Sequence, residues 1–165
     1  MKKIITLVVV LALIIVSSSC GATNLIRKEF ENNNSADDLS NKIVQCINNG
    51  NKDGFAEEFC EKDRNDDNFS AEVNELFDFF TDRISSYDIN YIGETRLTTD
   101  EKGNIERQLD EINIDNIVIG SNKVDKYSII IERYVENIIE KDEKGIVSFQ
   151  VRNSQNDSIL TVGCD

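Results

Sequence analysis

Any chemistry in this chain falls to carboxylates, tyrosines and cysteines. Its 165 residues include 31 Asp and Glu, four Tyr and four Cys, but no His, Pro or Trp. Without histidine there is no imidazole base, no imidazole metal ligand and no Ser-His-Asp or Cys-His nucleophile. What remains is proton transfer by a carboxylate of tuned pKa, helped by a tyrosine hydroxyl that stabilises a developing oxyanion. The candidates are Asp78, Asp82, Asp88, Tyr87, Tyr91, Tyr127 and Tyr134. With 31 acids, a carboxylate beside any pocket arises by chance. Asp78 stands among Phe77, Phe79 and Phe80 but falls off the apolar face of its helix. No catalytic residue is assigned, and a binding role is favoured over an enzymatic one.

Metal and thiol chemistry fare no better. Asp63, Asn65 and Asp67 occupy the alternate positions of a calcium loop. The sixth position is then Asn68 where the sharp turn requires Gly, the twelfth is Asn74 with Glu75 one residue late, and Arg64 is a competing cation. The run from Glu61 to Asn68 therefore reads as a polar loop between helices, and neither a metal nor a cofactor is expected. Cysteines stand at positions 20, 46, 60 and 164, with no CxxC and no zinc spacing. If Cys20 is lipidated, three pairings remain, of which Cys46–Cys60 is the best placed, but buried free thiols are favoured over any of them.

The N-terminus carries the most specific signal. Lys2 and Lys3 precede the 13-residue run Ile4 to Val16, interrupted only by Thr6, and Ser17, Ser18 and Ser19 lead into Cys20. A helix rising ~1.5 Å per residue covers about 20 Å over that run, short of a ~30 Å hydrocarbon core, so it reads as a signal-peptide core and not as a spanning helix. Small residues leading into Cys20 resemble the lipobox of bacterial lipoproteins, with Ser17 where Leu is commonest. The resemblance implies that Cys20 becomes the first mature residue and carries diacylglycerol and a further acyl chain, such as palmitate. Residues 1–19 are then the leader, 20–35 a flexible tether and 36–165 one domain.

Charge limits the partners. The net charge is −13, and losing residues 1–19 removes two lysines and no acid, taking it to −15. Nucleic acid is disfavoured because its phosphates need Lys and Arg to neutralise them. The same acidic excess argues against adsorption to anionic headgroups by charge alone, so membrane attachment must come from the lipid.

The elements that would position these groups follow from hydrophobic period. Ser35 caps a helix with Leu39, Ile43, Cys46 and Ile47 on one face, ended by Asn48, Asn49 and Gly50. A second helix starts near Asp53 with Phe55, Ala56, Phe59 and Cys60 inward. A third, opened by Asp67 or Ser70, places Val73, Leu76, Phe77, Phe80 and Ile84 on one stripe. Beyond it the period becomes two: Tyr87, Ile89 and Tyr91 alternate with polar residues, as do Val147, Phe149 and Val151, then Leu160 and Val162. Segments near 105–119 and 124–140 form a hairpin about Gly120 to Lys123. Ile112 and Ile114 differ in parity from Ile117 and Ile119, which predicts a bulge. Another turn is expected at Lys141 to Gly145. Helices followed by an antiparallel meander make an α+β fold, with N-terminal helices on a curved antiparallel sheet.

The order of these features resembles a known group. The lipobox and tether, the run Leu76-Phe77-Asp78-Phe79-Phe80 before Ile84-Ser85-Ser86-Tyr87, the long hairpin and the strand Gly145-Ile146-Val147-Ser148-Phe149 are similar to a family of small bacterial lipoproteins classified only as a domain of unknown function. That family is similar in fold to the cone-shaped, cystatin-like superfamily of nuclear transport factor 2, ketosteroid isomerase and the SnoaL cyclases. The resemblance spans Asp37 to Cys164. It implies a lipid-anchored, extracytoplasmic cone on the cell membrane that binds a protein or small molecule without chemistry, with homodimerisation common among cones. The alternative it leaves is a small-molecule-binding or isomerase- or cyclase-like pocket enzyme in the cone interior.

Overall fold

The computed structural model describes residues 34–120, 126–155 and 157–163. The leader, Cys20, the tether up to residue 33, the hairpin tip 121–125 and Cys164 lie outside them. Residues 36–165 form one compact unit, which holds the architecture described below.

Helix α1 covers 34–49 and buries Leu39, Ile43, Cys46 and Ile47, as their spacing predicts, with Ala36 and Val44 beside them. It ends in a Schellman motif. Gly50 takes φ 66°, its N–H donates to Ile47 O at 3.2 Å, and the Asn51 N–H donates to Cys46 O at 2.9 Å. Asn51 then caps α2, Lys52–Ala56, by accepting from the Gly54 N–H at 3.0 Å. Helix α3, Glu61–Arg64, is a single turn, and α4 is Phe69–Phe79.

The third predicted stripe runs too far. Val73, Leu76 and Phe80 are buried, but α4 stops with Phe80 as its C-cap, and Ile84 opens a strand. The cause is a side chain on another element. Asn48 of α1 accepts the Ile84 N–H at 2.7 Å and donates from Nδ2 to the Ile84 carbonyl at 3.1 Å. That pair of bonds supplies on one side what a neighbouring strand would, while Ile119 pairs on the other. Asn48→Ala is expected to cost roughly 1–3 kcal/mol, since it leaves part-buried backbone groups without partners. Urea titration checks this, and hydrogen exchange should show the loss at the start of that strand.

Five strands follow: β1 Ile84–Thr99, β2 Ile105–Ile119, β3 Tyr127–Asn137, β4 Gly145–Arg152 and β5 Ser158–Val162. They pair antiparallel in sequence order as an open, curved sheet, and a 3₁₀ turn at Lys141–Glu143 precedes β4. Strand β1 runs eight residues beyond the Tyr91 that its alternation marks. Register shifts interrupt its ladder with β2 at five places, which bends this edge and discourages pairing with another chain. The β2 bulge falls where parity predicts it: the β3 register slips between Ile114 and Ile117, and Asn116 takes φ 52°, a conformation asparagine tolerates. Ile112, Ile114 and Ile117 are thereby all fully buried, while Ile119 is only half-buried.

Helices and sheet meet in one apolar core. At its centre the Phe55 ring lies 5.2 Å from Phe59, 5.6 Å from Phe77 and 5.2 Å from Phe149, centroid to centroid, with the last two edge-on.

Candidate functional site

The cleft that concentrates polar side chains forms where the segment after α2 closes on β4. Phe59 bridges in parallel to Ile146, with the Cys60 N–H donating to Ile146 O at 2.9 Å and the Ile146 N–H to Glu58 O at 3.0 Å. Gly145 makes this approach feasible. It takes φ 125°, and a Cβ there would stand 3.0 Å from Cys60 N and 3.1 Å from Glu58 O. The bridge fixes Cys60 as the N-cap of α3, so that α3 and the 3₁₀ turn flank the sheet. Between them lies an open cleft of about 240 Å³, lined by Cys60, Lys62, Asp63, Arg96, Arg107 and Tyr134, with Leu109, Glu132, Glu143, Val147 and Ser148 completing it.

One rim is a charge clamp built on Glu143. Its carboxylate accepts from Lys62 Nζ at 2.7 Å and Arg107 Nη2 at 2.9 Å, and Asn137 Nδ2 lies 3.4 Å away. The same Arg107 nitrogen donates to the Tyr134 hydroxyl at 2.8 Å, and the guanidinium sits 4.7 Å above the Tyr134 ring. The Lys62 ammonium, donating to Glu143, holds its carboxyl below the usual carboxylate range, against the opposing effect of burial. A carboxyl whose pKa folding lowers contributes stability at neutral pH, which is lost as pH falls through its folded value. Glu143→Gln is therefore expected to flatten the acid limb of a stability–pH profile while changing stability little at the lowest pH. Thermal unfolding between pH 3 and 7 checks this.

Next to Lys62 on α3 the cleft holds a buried acid. Asp63 is 2% exposed, and its Oδ2 has no hydrogen-bond partner among the described residues. Here the polar-loop reading of Glu61 to Asn68 needs correction. The run contains a helical turn that carries Asp63 inward, while Asp66 accepts the Asn68 N–H at 2.8 Å and Asn65 serves as the C-cap of α3. Asp63, Asn65 and Asp67 therefore do not form a calcium loop, and among the described residues no group of three acidic or thiol side chains is placed to hold a metal. Cys60, beside Asp63, is a free thiol; burial pushes it up to about 11, with the Asp63 carboxylate adding to the rise. Cys46 is also free and buried, and burial raises its thiol too. The Cys46–Cys60 disulfide is thus not formed: one thiol sits on the inner face of α1, the other at the cap of α3 against β4.

Residues 42–155 match the family model for a domain of unknown function, DUF5104. The chain belongs to the DUF5104 family. Every residue lining the cleft falls inside the matched DUF5104 segment. No curated protein matches the chain.

The candidates picked by residue type are scattered through the DUF5104 domain. Asp78 and Asp82 are exposed at the end of α4, beside a second cleft of about 290 Å³ that also touches Asn48, Lys52, Phe77 and Arg83. Asp88 accepts from Asn116 Nδ2 at 2.8 Å at the surface. The Tyr87 hydroxyl donates to Asn41 Oδ1 at 2.7 Å, and the Tyr127 ring meets Phe79 edge-on. Only Tyr134 reaches the polar cleft. The second cleft is larger, but none of its lining acids is buried, so it holds no polar group that a ligand must satisfy.

Tyr91 belongs to a buried polar set that residue type alone does not reveal. Its hydroxyl donates to Asp110 Oδ2 at 2.8 Å, and Gln108 Nε2 donates to Asp110 Oδ1 at 3.1 Å. Arg133 is the cross-strand partner of Asp110. Burial pushes the Arg133 pKa down, while the charges of Asp110, Tyr91 and Glu58 push it back up. The signal was present in the alternation: Asp110 continues the Ile112, Ile114 row, and Arg133 continues the Ile129, Ile131 row. Two opposite charges on adjoining inward rows fix the register of β2 on β3.

Proposed function

We propose that this DUF5104 protein is a lipid-anchored, extracytoplasmic binding module whose recognition element is the cleft between α3 and the sheet. The observation that carries the binding role is the state of the groups lining it. The Cys60 thiol is held protonated, and Glu143 is held ionised by two cations. Side chains fixed in one protonation state recognise a ligand through charge and hydrogen bonds, whereas general acid–base or thiolate catalysis needs a pKa near the working pH.

The placement rests on the N-terminal sequence. An apolar run too short to span, small residues leading into Cys20, and a −15 mature chain that anionic lipids repel all favour a thioether-linked lipid as the anchor. Among the described residues no helix is long and apolar enough to cross a membrane. The resemblance to lipoproteins of the nuclear-transport-factor-like cone superfamily supports the same reading.

The binding role is tested by denaturing protein purified natively from membranes and identifying released small molecules by mass spectrometry, beside an Arg107→Ala variant. A compound held by the wild type and lost from the variant is expected. A compound retained equally by both, or none in either, contradicts the cleft as the recognition site.

A further inference from the structure

The charge pattern of the cleft narrows the ligand, given that the cleft is the binding site. Its lining carries three cations, Lys62, Arg96 and Arg107, and three anions, Asp63, Glu132 and Glu143. Lys62 and Arg107 are spent on Glu143. Arg96, an exposed guanidinium, and Glu132, a half-buried carboxylate, make no ion pair among the described residues. Asp63 is the decisive group, because a carboxylate oxygen buried without a donor is costly, and a ligand that supplies the donor recovers that cost.

We propose that the cleft binds a small zwitterion of amino-acid or dipeptide size, with its primary ammonium donating to the Asp63 carboxylate and its carboxylate directed to Arg96. A purely anionic ligand would leave Asp63 unsatisfied and add repulsion from Glu132. A purely cationic one would meet Arg96, unpaired among the described residues, while the Lys62 and Arg107 cations are balanced by Glu143 and Glu140. A volume of about 240 Å³ lies below the range that drug-sized ligands fill, which suits one or two residues of peptide. Tyr134, Leu109 and Val147 give the apolar surface between the two charged ends.

The test titrates the full-length protein with L-alanyl-L-alanine, its N-acetyl derivative and its C-terminal amide, following amide resonances of α3 and β4. Saturable shifts with the free dipeptide, at least tenfold weaker binding after acetylation, and a similar loss in Asp63→Asn are expected. Arg96→Gln should erase the difference between the acid and the amide. Equal binding of all three compounds to the wild type overturns the proposal without any variant. If a mixture of neutral fragments shifts those resonances and the dipeptide does not, the zwitterion is wrong and the cleft remains a binding site. If nothing shifts them, both inferences fail.

Discussion

Replacing Phe55 with alanine is expected to remove about 3 to 5 kcal/mol of stability, the largest loss from any single side chain in the domain. Phe55 is fully buried, and its ring contacts those of Phe59, Phe77 and Phe149, so its removal opens a cavity between helices and sheet. Domains of this size hold roughly 5–15 kcal/mol in all, so the variant should melt about 10 to 20 °C lower. Phe77 is half-buried and lies at the edge of the same cluster, so Phe77→Ala should cost clearly less. Calorimetry of the two variants decides the matter. Equal losses would show that the cluster is not centred on Phe55.

The second large effect concerns location. Under the proposed anchoring, Cys20→Ser deletes the sulfur that carries diacylglycerol, and the protein should leave the membrane fraction completely. One acyl chain holds a protein only marginally and two or three hold it firmly, while a strongly anionic body gains nothing from the headgroups. The wild type should take up labelled palmitate and the variant none. A variant that stays with the membranes at unchanged mass would overturn the anchoring.

The fold was legible wherever one period persisted. The inner face of α1, the α4 stripe as far as Phe80 and the β2 bulge between Ile114 and Ile117 all follow from spacing, because burial imposes periods of 3.6 and 2. The misreadings share a different cause: a contact distant in sequence decides the local structure. Ile84 continues the helical stripe in sequence, yet Asn48, 36 residues earlier, captures its backbone. Asp63 sits in a run that looks like solvated loop, yet the Phe59–Ile146 bridge turns it inward. The cleft was hidden for the same reason. Its lining comes from α3, β1, β2, β3, the 3₁₀ turn and β4, and no local window brings Asp63, Arg107 and Glu143 together. Among the catalytic candidates chosen by residue type Tyr134 alone lines the cleft, and the carboxylates Asp78 and Asp82, on and just after α4, border another surface.

The cleft's role is tested most directly by hydrogen–deuterium exchange on protein purified natively from membranes, compared with the same protein unfolded and refolded without small molecules. The natively purified sample should exchange more slowly at Glu61–Arg64 and Lys141–Glu143, the two segments that flank the bound ligand. Identical exchange in both samples, or protection confined to Asn48, Lys52 and Arg83 around the other cleft, would contradict it.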